Sequence, residues 1–289
     1  MIDLHTHSTA SDGNLTPRNL IRAAYSCDIN VIALTDHDTI DGIPEAKDEA
    51  DSFGIKLIAG VEIDINWQYK AAETPSQPEK PSREFHLLGL GIKSPSADFI
   101  QLMADCKLER TRRNLLIIEK MHEEGIDADY DELCGMAEGV CIGRPHFARY
   151  LIKLGKARSI KAAFERFLSR GKPLYIRKTG SDFARAAAAI HSSGGIATLA
   201  HPTTLYVSWG KLPCIIAELK EQGLDGIEAW HPAATLRVCR RLESLGRELG
   251  LFITAGSDFH GEKRPDRRLG YTGGGRLIDD SFLQGLPLL

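Results

Sequence analysis

Along the chain, short apolar runs alternate with longer stretches in which apolar side chains recur every three or four residues. The short runs, rich in Val, Ile and Leu, predict strands at 2–5, 31–35, 56–61, 85–91, 196–200, 226–230 and 251–255. Helical stretches between them make this the pattern of βα units around a parallel sheet. Thr16 is placed to cap a helix that begins at Pro17 and buries Leu20, Ile21 and Ala24. Ser181 or Asp182 starts another, which Gly194 and Gly195 stop.

One stretch breaks the alternation. Between 95 and 175 no strand pattern appears; instead Phe99, Leu102, Met103 and Cys106, then Phe147, Tyr150, Leu151 and Leu154, then Ala163, Phe164, Phe167 and Leu168 follow helical spacing. This predicts a small helical domain, 96–175, set between the first part of a barrel, 1–95, and its second part, 176–289. Segment 71–84, with Pro75, Pro78 and Pro81, reads as a polar loop.

The 289 residues suffice for one large α/β domain or for a barrel with an insertion, and 26% charged with 43% hydrophobic residues is ordinary for a soluble protein. A net charge of −3 gives no global signal for nucleic acid or membrane. Locally, 144–178 holds eleven Lys or Arg against one acid, Glu165, either a solvated helical face or a grip for an anionic substrate. The six cysteines show no metal-ligand spacing and read as reduced, mostly buried thiols. No leader precedes Ile2 and no apolar run reaches the ~18 residues of a spanning helix, so a cytoplasmic protein with no membrane contact is expected.

Metal-capable side chains gather at predicted strand ends. His5 and His7 close the first strand, with Asp12 in the next loop; Asp36, His37 and Asp38 follow the second; Glu62 ends the third; His86 begins the fourth; His201 follows the fifth; Asp258 and His260 follow the last. Two residues apart on extended backbone, side chains point the same way, so each terminal pair can close on one cation. For both pairs to share a site, the first and last strands must be neighbours, as in a closed barrel. Any one residue could be a hydrogen-bonded rim group, Asp12 a turn former, and Asp36 or Asp38 a helix cap. Jointly, six histidines and three carboxylates would leave buried charge unbalanced without cations. Nine ligands exceed the needs of one ion, which points to two or three divalent ions, Mn²⁺, Fe²⁺ or Zn²⁺.

These motifs resemble the PHP family, the polymerase and histidinol phosphatase superfamily of metal-dependent phosphoesterases. They are His5-Thr6-His7 with Ser11-Asp12-Gly13, Thr35-Asp36-His37-Asp38, Gly60-Val61-Glu62, His86-Leu87-Leu88-Gly89, Ala200-His201-Pro202 and Gly256-Ser257-Asp258-Phe259-His260. The resemblance implies a distorted (β/α)7 barrel and three metal positions: His5, His7, Glu62 and Asp258; Glu62, His86 and His201; and Asp12, His37 and His260. Glu62 would bridge, and Glu62, Asp258 and His201 would carry catalytic roles. The likeness is strongest to stand-alone members acting on nucleoside 3',5'-bisphosphates and on 5' ends of short RNA, which also carry an Arg-x-His-Phe-Ala-Arg stretch, here 144–149, and a Gly-Lys-x-x-Tyr stretch, here 171–175. It implies that Arg144, His146 and Lys172 grip substrate phosphate.

Thr203-Thr204 stands where those relatives have Gly-Arg, and Trp230-His231-Pro232 ends the sixth strand, making His231 a further candidate substrate contact. The expected reaction is attack on phosphorus by a hydroxide bridging two ions, with Arg144 or Lys172 absorbing charge and His201 or His231 protonating the leaving oxygen. The expected partner is a small phosphorylated substrate, a nucleotide or short oligonucleotide, with no protein partner evident. The alternatives are a histidinol-phosphate phosphatase and a non-catalytic nucleic-acid-binding or polymerase-accessory domain.

Overall fold

In the computed structural model, residues 1–67, 83–136, 141–261, 264 and 266–288 are described. Two compact units result: Met1–Met103 with Gly180–Leu289, and Ala104–Thr179. Seven strands build the first: β1 (Ile2–Thr6), β2 (Val31–Leu34), β3 (Lys56–Trp67), β4 (Arg83–Leu90), β5 (Ile196–Leu199), β6 (Gly226–Trp230) and β7 (Phe252–Ala255). They pair in sequence order, and each predicted strand is present.

All pairings are parallel except those of β4, which runs antiparallel to β3 and β5. The uniform parallel sheet is therefore corrected: one strand is reversed, and this distorts the (β/α)7 barrel. The reversal explains an oddity of the sequence, because His86 lies near the start of its strand while the candidates of β1, β5 and β7 lie at or just past strand ends; Glu62, expected to end the third strand, lies mid-strand because β3 runs on to Trp67 to pair with β4. A reversed strand brings its N-terminal half to the rim that its neighbours reach with their C-terminal ends. Accordingly His86 stands opposite Asp64, two residues beyond Glu62.

The barrel closes between β1 and the segment after β7. Thr6 bridges Phe259, the Asp258 N–H donates to the His5 carbonyl at 2.9 Å, and the His7 N–H donates to the Phe259 carbonyl at 2.9 Å. Asp3, fully buried, stitches the seam by accepting from the N–H groups of Ser257 at 3.0 Å and Gly270 at 2.8 Å. Helix α1 (Pro17–Ser26) is capped by Thr16 and buries Leu20, Ile21 and Ala24 as its pattern requires. It packs with α2 (Ile43–Phe53) over β2, where Ala46 and Ala50 meet Ile32 and Leu34.

Helix α3 (Ala97–Glu123) leaves the barrel unit, and α4 (Tyr130–Met136), α5 (Arg144–Lys153) and α6 (Ile160–Ala163), which runs on into a π-helical turn at Phe164–Leu168, build the second unit. That unit has its own core, with Phe147, Tyr150, Leu151 and Leu168 against Ile117, Met121 and Leu133. The chain re-enters the barrel through α7 (Phe183–Ser192), whose cap is Asp182 rather than Ser181, accepting from the Arg185 N–H at 2.9 Å. Helices α8 (Leu212–Glu221) and α9 (Leu236–Glu248) follow β5 and β6, and the hairpin β8 (Tyr271–Thr272) with β9 (Arg276–Leu277) follows β7.

The loop read at 71–84 lies outside the described residues up to position 82. All six cysteines are free, but only Cys239 is buried, which corrects the expectation of mostly buried thiols. Cys27 ends α1 and Cys214 sits in the first turn of α8, both on faces turned to solvent. Among the described residues, no helix is long and apolar enough to cross a membrane.

Candidate metal centre

Strand geometry brings the nine sequence candidates of the barrel to one rim. His5 lies inside β1, His7 just past its end, and both are fully buried. The backbone after β2 keeps pairing with β3, through a His37–Glu62 bridge and an Asp38 N–H to Glu62 carbonyl bond of 2.9 Å, so His37 and Glu62 are held side by side. Asp36 caps no helix. Its buried carboxylate accepts from the Ser8 N–H at 2.8 Å and from the hydroxyls of Ser8 and Ser11, both at 2.6 Å. That clamp pins the loop which carries Asp12. His201 and Asp258 sit at left-handed backbone angles, φ 28° and 51°, strain of the kind that persists where surrounding structure over-determines a functional geometry.

Three groups of side chains offer ligand atoms within 4.8 Å of one another: His5, His7, Glu62 and Asp258; His7, Asp12, His37 and His260; and His37, Glu62 and His86. The first equals the set implied by the resemblance. The third set of the resemblance is here joined by His7, and in the second His37 stands where the resemblance has His201. His201 instead approaches Glu62 separately, its Nε2 2.9 Å from Oε1.

Glu62 lies at the junction. Its Oε1 faces His86 Nδ1 at 2.7 Å and His201 Nε2 at 2.9 Å, whereas Oε2 faces His7 and His37 at 3.2 Å and His5 at 3.4 Å. Asp258 divides likewise. Oδ2 accepts from His231 Nε2 at 3.2 Å and Arg267 Nε at 3.3 Å, leaving Oδ1 towards His5, His7 and His260.

Burial opposes charge on Glu62, but the imidazoles of His86, His37 and His5 outweigh it and hold its carboxyl well below the usual range. Asp12, beside His260 and His37, and Asp258, bonded by His231 and His7, are likewise held well down against their burial. Among the imidazoles, burial pushes His37 down to about 3. His7 is driven up to about 9 and His86 to about 10, because neighbouring carboxylates overcome burial. A pocket of ionised carboxylates thus demands positive charge, as protons or as metal ions.

The residues fit metal ions. Buried His7 Nδ1, Asp12 Oδ1 and His37 Nδ1 make no hydrogen bond. Glu228 accepts from His5 Nδ1–H at 2.9 Å and the Asp258 carbonyl accepts from His260 Nδ1–H at 2.8 Å, so both rings turn an Nε2 lone pair into the cluster.

Several residues escaped the sequence reading. Glu228 also accepts from the His201 N–H at 2.7 Å, tying two candidate ligands from different strands. Its signal was a lone carboxylate inside the otherwise apolar, wholly buried strand β6. Asp64, two residues from Glu62 and so on the same face, holds His86 Nε2 at 2.7 Å. Arg267 had no local signal.

His231, read as a substrate contact, accepts from the Ala233 N–H on Nδ1 at 3.1 Å and donates to Asp258 from Nε2. In the helical unit, His146 is buried, its Nδ1 accepting from the Gly143 N–H at 3.0 Å to cap α5. Arg144 opens that helix and Lys172 is exposed.

The family model of the PHP domain matches residues 3–173. A 5'-3' exoribonuclease of Haemophilus influenzae is 37% identical over 89% of this chain and 89% of that protein. A 3',5'-nucleoside bisphosphate phosphatase of Chromobacterium violaceum is 30% identical over 94% of this chain and 91% of that protein. The solved structure of an amidohydrolase from Chromobacterium violaceum, with bound sulfate and no metal, superposes with a TM-score of 0.82 at 28% identity, covering 96% of this chain and 92% of that one. With a family match over more than half its length and a reversed-strand barrel that gathers the motif residues at one rim, the chain belongs to the PHP family.

Proposed function

We propose that the protein is a metal-dependent phosphoesterase that releases the 3'-phosphate of nucleoside 3',5'-bisphosphates and trims short RNA from its 5' end. One observation carries the reading: each two of the three ligand groups have one residue in common, His7, His37 or Glu62, an arrangement suited to two or three adjacent divalent ions, Mn²⁺, Fe²⁺ or Zn²⁺. The relatives named for action on RNA and on nucleoside bisphosphates supply the substrate class.

His5, His7, Glu62 and Asp258, then Glu62, His86 and His201, then Asp12, His37 and His260 would hold the ions. Bound there, they would lower the pKa of water towards ~7 and neutralise phosphoryl oxygens. The chain's own residues do the rest. Glu228, Asp64 and the Asp258 carbonyl orient His5, His86 and His260, and the paired Arg267 and His231 keep Asp258 ionised and aimed inward. His201 is neutral, its pKa lowered by burial, with Nε2 beside Glu62.

In the helical unit, read as a substrate-gripping domain over 96–175, Arg144 and the first turn of α5 together favour an anion. We assign Arg144, His146 and Lys172 to the second phosphate of the substrate. Neutralising Arg144 or Lys172 should raise KM for a nucleoside bisphosphate about tenfold while leaving KM for a simple monophosphate nearly unchanged, as steady-state kinetics on both would read. Equal effects on the two would refute the assignment. The free thiols fit a reducing compartment, the cytoplasm.

The test of the function is a substrate panel with Mn²⁺: nucleoside 3',5'-bisphosphates, 5'-phosphorylated oligoribonucleotides and histidinol phosphate. Turnover of the first two, abolished by chelator dialysis and restored by Mn²⁺, is expected, with metal analysis giving two or three ions per chain. Preference for histidinol phosphate, or activity that survives complete chelation, would overturn it.

A further inference from the structure

We propose that a cavity of about 250 Å³ in the barrel unit, lined among others by Pro232, Asp266, Arg268, Tyr271, Gly274 and Gly275, is the subsite for the nucleobase of the substrate. The inference rests on the nucleotide reading above and assigns the part of the nucleotide which that reading leaves without a partner.

Position comes first. Asp266 pairs with Arg267 Nη1 at 2.9 Å, and Arg267 Nε bonds Asp258 at 3.3 Å, so one wall of the cavity is two contacts from the ligand cluster. A second wall is Pro232, which directly follows His231, the other partner of Asp258. The cavity is thus joined to the ligand cluster through both partners of Asp258, Arg267 and His231.

Shape and chemistry agree with a flat heterocycle. The volume falls below the ~300–1,000 Å³ of pockets that enclose larger ligands and leaves room for a single planar ring system. Gly274 and Gly275 both adopt left-handed backbone, φ 71° each, and as glycines add no side chain of their own to the wall, although Leu236 packs where a Gly274 Cβ would stand. A Cβ built at Gly275 meets nothing within 4 Å, so the space beside it is open. The Arg268 guanidinium lies 3.8 Å from the centroid of the Tyr271 ring. That pair makes a flat, polarisable surface of the kind on which bases stack whatever their identity. Asp266 adds a carboxylate able to accept from ring N–H or amino groups. Stacking without a full set of edge contacts predicts binding of all four bases with modest preference among them.

The experiment compares wild type with Arg268→Ala and Arg268→Lys on a nucleoside 3',5'-bisphosphate and on the matching ribose bisphosphate without a base. Arg268→Ala should lower kcat/KM about tenfold on the nucleotide and leave the base-free compound unchanged, shrinking the wild-type preference for a base. Arg268→Lys, which keeps charge but loses the planar stack, should fall nearly as far. Equal losses on both compounds, or none on either, would overturn the subsite. Should wild type turn over neither compound, the nucleotide reading fails. Adenosine binding followed by calorimetry, weakened or unchanged in Arg268→Ala, then decides the cavity independently.

Discussion

Glu62→Gln should cost at least about 10³-fold in kcat while leaving the protein folded. Glutamine keeps the shape of the side chain and removes its charge. Five imidazoles converge on that carboxylate: His86 and His201 on one oxygen, His5, His7 and His37 on the other. An amide can serve one side as an acceptor, but its NH₂ then faces nitrogen atoms that need a negative partner. Removing a single preorganised electrostatic group from an active site typically costs about 10²–10³-fold, and here one group serves two candidate ion positions. Metal analysis should show a loss of bound ions together with the loss of rate. In the metal-free protein, the raised pKa values of His7 and His86 should drop towards or below ~6.5, because burial then acts with less opposing charge. A Glu62→Gln enzyme with near-native kcat would remove the shared carboxylate from the mechanism.

Gly256→Ala should destabilise the protein by about 1–3 kcal/mol and reduce activity far more than that figure alone implies. A methyl group there would lie 2.3 Å from His5 Cβ and 2.7 Å from Glu228 Oε1. Neither neighbour can swing aside, since His5 Cβ is fixed by β1 and Glu228 holds both the His5 ring and the His201 N–H. Relief must come from parting β1 and β7 or from turning His5, and either moves a candidate ligand. Thermal denaturation with and without Mn²⁺ reads the effect: the stabilisation that metal confers on wild type should shrink in the variant. An unchanged metal-dependent shift in Tm would show that the seam tolerates the methyl group.

Much of this architecture was legible because it depends on short-range periodicity. A strand places residues two apart on one face, so His5 with His7 could be read as a site before any contact was known. The direction of β4 was not legible, since an alternating apolar pattern reads the same both ways; only the misplaced His86 hinted at it. Glu228 and Asp64 were hidden because a carboxylate that orients a ligand has no spacing of its own. Their roles depend on neighbours 223 residues away for Glu228 with His5, and across the β3–β4 pair for Asp64 with His86. The cysteines went wrong for a related reason: the tendency of a residue type to be buried says nothing about which helix face carries it. His146 and His231 show that a residue chosen for its chemistry can also serve local backbone, through Nδ1 in both rings.

The β1–β7 seam has a consequence for how the protein is made. His5 and His7 leave the ribosome well before Asp258 and His260, with strands β2 to β7 of the barrel made in between. Long-range strand pairing of this kind forms late, after the loop-closure entropy of the whole chain has been overcome. A nascent chain can therefore hold only fragments of the ligand groups, and the complete set is assembled only as β7 and the segment after it dock on β1. Catalytic competence is in this way withheld until synthesis of the barrel is finished, so truncated products carry the metal-binding motif of the first strand without the activity.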